Sequence, residues 1–178
     1  MNDKHEEQLI LVDRNDQPQG LVGKTRAHRE ALLHRAFSVM IYNNEGELLI
    51  QKRADCKYHS AGLWANSCCG HPRNNETVKE GAKRRLFEEL GVKSSLSKVT
   101  EVSYCLELDN GMHEHEYTHV FSGKYENSMN LNPNEVSEVQ WIKPKDLRQK
   151  MHNNPELYAE WLKFYLENYY ENIFTNIG

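Results

Sequence analysis

The chain has 178 residues, 38% of them hydrophobic and 27% charged, with 22 lysines and arginines against 26 aspartates and glutamates for a formal net charge of −4. A chain of this size buries about 70% of its unfolded surface around one core, and its apolar content excludes wholesale disorder and fibrous repeats. The mild negative charge argues against a broad footprint for nucleic acid or an anionic membrane, so any anionic ligand must meet a local basic cluster.

Met1 to Gln8 is charged where a signal peptide needs an apolar stretch. No apolar run approaches the roughly 20 residues that span a bilayer. A cytoplasmic protein without membrane partners is expected, and in that compartment Cys56, Cys68, Cys69 and Cys105 are expected to be reduced. Nine histidines beside so many acids make a metal site worth seeking.

Taken in order, Leu9 to Val12, the turn-rich stretch Asn15 to Gly20 and Leu21-Val22 predict a hairpin. Ala36 to Tyr42 predicts a strand that turns through Asn43 to Gly46 into Leu48 to Gln51. From Glu76 to Leu90, Val78, Ala82, Leu86 and Leu90 recur every four residues and predict an amphipathic helix, with Asn75 as its cap and Gly91 as its left-handed end. Gly81 inside it signals either a close backbone approach or a tolerated surface position. Val99 to Leu108 and Met112 to Tyr125 form a third strand pair about an Asp109-Asn110-Gly111 turn. Val136 to Ile142 is a further strand, and Pro144 and Asp146 open a short helix. Beyond Pro155, Leu157, Trp161, Tyr165 and Tyr169 are spaced as one helical face. This pattern by itself is mixed α+β.

Three segments carry chemistry. Residues two apart on a strand share a face, so Glu114 and Glu116 point together and His113 and His115 point away. Paired carboxylates repel unless a cation neutralises them; an acidic solvent face on an edge strand is the plainer alternative. In Asn66-Ser67-Cys68-Cys69-Gly70-His71-Pro72 the adjacent cysteines face opposite ways, so one thiol can enter a pocket while the other packs in the core. Two structural thiols beside a surface histidine would also fit. His28 and His34, which flank Leu32-Leu33, are candidate companions, each unremarkable alone.

The third segment has Gly70, Glu76 six residues on, and Arg84-Arg85-Leu86-Phe87-Glu88-Glu89-Leu90-Gly91-Val92. It resembles the Nudix box, a loop-helix-loop that presents carboxylates to divalent cations holding a diphosphate. Arg85 stands where hydrolases of that family carry a glutamate, which removes a cation ligand and favours gripping diphosphate oxygens over metal-driven attack of water. Together with Leu32 to Ser38, Asn66 to Pro72 and the Glu114/Glu116 strand, the altered box resembles the type I isopentenyl-diphosphate isomerases over nearly the whole chain.

That resemblance implies an α/β fold in place of α+β: a Nudix-type α/β/α sandwich with a mixed sheet, an added N-terminal hairpin and a C-terminal helix, residues 1–178 forming one domain. It implies interconversion of isopentenyl and dimethylallyl diphosphate by a metal-dependent 1,3 proton shift through a carbocation-like intermediate. Cys69 and Glu116 would be the acid and base, with Tyr104 relaying a proton or binding the carboxylate. His28, His34, His71, Glu114 and Glu116 would hold one Mn²⁺, Mg²⁺ or Zn²⁺, and Glu89 a second Mg²⁺ arriving with the substrate. Lys24, Arg53, Lys57 and Arg85 would grip the diphosphate. The Trp161 face would stabilise the cation, unless that ring only packs the C-terminal helix. The partner is then a small-molecule diphosphate, and the chain is expected to act as a monomer, with a dimer as the alternative. A Nudix pyrophosphohydrolase and a non-catalytic metabolite sensor are the competing readings.

Overall fold

The computed structural model describes residues 6–108 and 111–175. Among the described residues the strands are β1 Gln8–Val12, β2 Pro18–Gly23, β3 His34–Tyr42, β4 Leu48–Arg53, β5 Trp64–Ala65, β6 Cys68–Gly70, β7 Ser97–Glu107, β8 His113–Lys124 and β9 Val136–Ile142. The helices among them are α1 Lys24–Arg29, α2 Val78–Leu90, α3 Pro144–Asn153, α4 Glu160–Asn168 and α5 Tyr170–Phe174. β3 lies at the centre, pairing in parallel with β8 and antiparallel with β1, β4 and β6; β7 flanks β8 and β9 flanks β4.

Alternation along β3 divides the core. Phe37, Val39 and Ile41 meet Ala82, Leu86 and Leu90 of α2 on one face. Met40 and Tyr42 meet Trp161, Leu162, Tyr165 and Leu166 of α4 on the other. The mixed sheet between two helical layers is the α/β sandwich that the resemblance implies, in place of the looser α+β.

Several boundaries differ from the sequence expectations. β2 begins at Pro18, because the turn is completed earlier, by the Asp13 carboxylate accepting from the Asn15 and Gln17 amides. The helix expected from Glu76 with an Asn75 cap starts at Val78 with Thr77 as its cap. Thr77 Oγ1 accepts from the Glu80 amide and the Glu80 carboxylate accepts from the Thr77 amide, which satisfies two otherwise unpaired donors. Glu76 is instead committed to Arg84, at 2.6 and 2.9 Å. Gly81 is a site of close approach: a Cβ there would lie 3.0 Å from the Pro72 backbone and 3.2 Å from the Phe37 ring. Gly91 ends α2 at φ 68°, as expected.

The tail is not one continuous helix. Pro155–Leu157 is a 3₁₀ turn that leaves Leu157 exposed, and the Ala159 amide is drawn to the Trp64 carbonyl at 2.9 Å, so α4 starts only at Glu160. Tyr169 ends α4 instead of extending its face. The β7–β8 pair forms as expected, with Leu108 and Met112 closing it at 2.8 Å. Asp109 and Asn110 of its expected turn lie outside the described residues.

Candidate active site

Strand register assembles the site in rows on the α4 side of the sheet. His34 of β3 is paired with Glu116 of β8, which is paired with Tyr104 of β7; Leu106 faces Glu114, and Ser38 of β3 faces Cys69 of β6. Period-two alternation keeps Glu114 and Glu116 on one face, and both are buried, which rules out an acidic solvent face. His115 points away, its Nδ1 2.7 Å from the Ala31 carbonyl.

One ligand atom each of His28, His34, His71 and Glu114 lies within 4.8 Å of the others. Glu116 adjoins them, with Oε1 3.2 Å from His71 Nε2 and 3.8 Å from His34 Nε2. His28 Nδ1 and His34 Nδ1 lie 2.7 and 2.8 Å from the carbonyls of Lys24 and Leu32, so each ring donates from Nδ1 and turns the Nε2 lone pair inward. His28 Nε2, His34 Nε2, His71 Nδ1 and Glu114 Oε2 are buried with no hydrogen-bond partner. Such atoms cost about 1–3 kcal/mol each, and converging lone pairs of this kind fit a divalent cation.

The electrostatics agree for two of the three histidines. Burial, reinforced by the neighbouring His71 ring, lowers His34 to about 3, and burial also lowers His71, so both rings are neutral at pH 7. Burial pulls His28 down too, but the Glu114 carboxylate 3.3 Å from its Nε2 outweighs it and raises the group. Glu114 is pushed up by burial and by the neighbouring Glu116 charge. Glu116 is held low, because the His71 hydrogen bond and the facing His71 and His34 rings overcome burial.

A cavity of about 510 Å³ opens beside this cluster. Cys69, Tyr104, Glu114, Glu116, His71 and Trp161 line it, so the thiol and the paired carboxylates share one space. Cys68 is instead sealed in the α2-side core. Burial raises the Cys69 thiol to about 12, which keeps it protonated at neutral pH. Its Sγ lies 3.1 Å from Asn66 Oδ1, the atom that also accepts from Trp161 Nε1 at 3.1 Å. Tyr104 Oη donates to Glu116 Oε2 at 2.6 Å.

Lys24, Arg53, Lys57, Arg85 and Glu89 also line the cavity. Each cation but Arg53 is paired with a carboxylate: Lys24 with Glu7 at 2.8 Å, Lys57 with Glu135 at 2.6 Å, and Arg85 with Glu88, Glu89 and Glu135 at 2.8, 2.7 and 3.1 Å. Arg53 donates to the His59 and Ser60 carbonyls at 3.2 Å and sits 5.3 Å from the Trp161 ring centroid. The basic cluster required by composition exists, but glutamates outnumber lysines and arginines in the lining. Glu89 is buried apart from the histidine cluster, holding Gln51 Nε2 at 2.8 Å.

Sequence reasoning missed several members. His59, assigned no role, places Nε2 3.5 Å from Glu114 Oε1 and stacks on His28. Glu7 and Glu135 carry no local motif, while Asn66 and Ser38 lie inside the segments Asn66 to Pro72 and Leu32 to Ser38 without a role assigned to them. Tyr165, one helical turn beyond Trp161, had a signal in the spacing of that helical face.

The model of the NUDIX domain matches residues 32–162. Isopentenyl-diphosphate Delta-isomerase 2 of Photorhabdus laumondii is 47% identical over 158 residues, covering 89% of either chain. The isopentenyl-diphosphate Delta-isomerase of Pectobacterium atrosepticum is 42% identical, covering 88% of this chain and 87% of its own. The chain belongs to the Nudix family, among its isopentenyl-diphosphate isomerases. The Nudix fold recurs in a Deinococcus radiodurans crystal structure at TM-score 0.76 and 22% identity, covering 92% of this chain and 99% of that one. It recurs again in the MutT protein of Methanosarcina mazei at TM-score 0.62 and 23% identity, covering 76% and 91%. In this Nudix protein Arg85 holds three carboxylates, those of Glu88, Glu89 and Glu135. Among the described residues no helix is long and apolar enough to cross a membrane.

Proposed function

We propose that the chain interconverts isopentenyl and dimethylallyl diphosphate by a 1,3 proton shift. The observation that carries this reading is the sharing of one cavity by the Cys69 thiol, the Glu116 carboxylate and the Trp161 indole. The shift needs an acid at one carbon and a base at another; here a protonated thiol and an ionised carboxylate start in complementary states. Tyr104 holds Glu116 in place by its 2.6 Å hydrogen bond. Protonation of the alkene creates a tertiary cation, and an aromatic face can stabilise such a charge by about 2 kcal/mol when water is excluded. Arg53 already attends the indole, so the remaining ring surface serves the substrate.

His28, His34, His71, Glu114 and Glu116 would hold one divalent metal, their mixed nitrogen and oxygen donors suiting Mn²⁺, Mg²⁺ or Zn²⁺. When bound, that ion neutralises the paired carboxylates and tunes the acidity of its neighbours, while a second Mg²⁺ carried in with the diphosphate beside Glu89 offsets the acidic lining. Lys24, Arg53, Lys57 and Arg85 orient the diphosphate, but most must loosen their carboxylate partners to do so. That surplus of glutamate is why a cation accompanying the substrate belongs to the reading. The reading takes residues 1–178 as a single domain acting as a monomer, with a dimer as the alternative.

Incubation in deuterated water tests the proposal. Dimethylallyl diphosphate formed from isopentenyl diphosphate should carry solvent deuterium, and Cys69→Ala or Glu116→Gln should abolish turnover. Unlabelled product, undiminished variants, or phosphate release from a nucleotide in place of isomerisation would overturn it.

A further inference from the structure

An unbroken row of buried hydroxyls joins Cys69 to Glu116. Ser38 Oγ lies 3.4 Å from Cys69 Sγ and 2.9 Å from Tyr165 Oη. Tyr165 Oη lies 3.2 Å from Tyr104 Oη, which donates to Glu116 Oε2 at 2.6 Å. Relative exposure is 1% for Ser38, 0% for Tyr165 and 7% for Tyr104. Packing needs no such continuity, since two buried hydroxyls can satisfy one another. Here the row runs on at both ends into the two groups of the proton shift. It is assembled from β3, β6, β7, β8 and the distant α4.

We propose that Ser38 and Tyr165, acting with Tyr104, form a relay that returns a proton between Glu116 and Cys69 after each turnover. The proposal rests on the isomerase reading above. A 1,3 shift adds a proton at one carbon and removes one at another, so the donor ends as its conjugate base and the acceptor as its conjugate acid. A second turnover in the same direction requires that exchange to be undone. Along the row, the Glu116 carboxylic acid passes its proton to Tyr104 as Tyr104 passes its own to Tyr165, Tyr165 to Ser38 and Ser38 to the Cys69 thiolate. Four bonds to hydrogen break and four form, and no hydroxyl is left charged. Run backwards, the same row carries a proton from thiol to carboxylate, so it serves whichever group opens the cycle.

Rapid-quench kinetics of the metal-loaded chain with excess isopentenyl diphosphate test the relay. In Ser38→Ala and Tyr165→Phe the first equivalent of product should outrun later turnovers by about tenfold or more, the scale of a lost proton-transfer group, whereas the unmutated chain shows no such burst. Added imidazole should raise the steady-state rate of Ser38→Ala without affecting the unmutated chain. Tyr165→Phe, which keeps the ring, covers the case in which the serine variant perturbs packing. First and later turnovers slowed alike, or neither slowed, would refute the relay while leaving the isomerase standing. Failure of the unmutated chain to isomerise at all would instead refute the function.

Discussion

Trp161 Nε1 donates to Asn66 Oδ1 at 3.1 Å, and this one oxygen sets the indole beside the Cys69 thiol, which reaches the same atom at 3.1 Å. Asn66 is fully buried and spends its amide nitrogen on the Val39 and Cys68 carbonyls at 3.1 Å, so the side chain cannot rotate without breaking all four contacts. Asn66→Ala leaves the indole N–H and two carbonyls short of partners. Urea denaturation should show a loss of about 2–4 kcal/mol, from unsatisfied buried groups at about 1–3 kcal/mol each. Turnover should fall further than stability explains, because ring and thiol lose their common anchor.

Removal of divalent metal should lower the melting temperature, since it leaves converging unpartnered lone pairs inside the fold. A ligand held at 100 times its dissociation constant contributes about 2.7 kcal/mol. Thermal melts before and after dialysis against a chelator read this directly. His34→Ala should melt at one temperature in both states and retain less metal by elemental analysis.

Arg85→Glu adds a further carboxylate to α2, and it should not create a hydrolase. The guanidinium sits among Glu88, Glu89 and Glu135, and a fourth carboxylate there adds repulsion where attraction stood. Breaking a buried charge pair costs about 3–5 kcal/mol. Arg85 keeps some solvent contact, so a loss of about 2–3 kcal/mol by denaturation is expected at the lower end. No pyrophosphate release from nucleotides should accompany it.

His119 supplies a pH test away from the site. Its Nε2 lies 3.0 Å from Asp16 and its Nδ1 3.3 Å from Glu101, with Lys98 also acting on it; burial outweighs the two carboxylates and lowers the group below its ordinary 6.5. The folded state therefore holds the proton less tightly than the unfolded chain. This contribution to stability is complete above about pH 6.5 and is lost as pH falls through the unfolded value toward the lower folded one. Denaturation midpoints measured downward from pH 7.5 should drop, and His119→Gln should flatten the decline.

Local order in the chain was enough for most of the longer elements and for the shared face of two buried carboxylates, but not for β5, β6, α1 or α5. Alternation placed Glu114 and Glu116 together, and opposite facing separated Cys69 from Cys68, because both rules act between neighbours on one strand. Four-residue spacing located α2 for the same reason, though its start moved to Thr77 when a capping box outcompeted Asn75. What no local pattern contains is strand register. Parallel pairing of β3 with β8 sets His34 against Glu116, and antiparallel pairing of β3 with β6 sets Ser38 against Cys69, across separations in sequence of tens of residues. His59, Glu7 and Glu135 entered the site only through such packing, and Tyr165 reached Ser38 only because α4 folds back across the sheet. Propensity and periodicity are properties of short segments; the distance between two side chains that a long loop separates is decided by which faces must bury together.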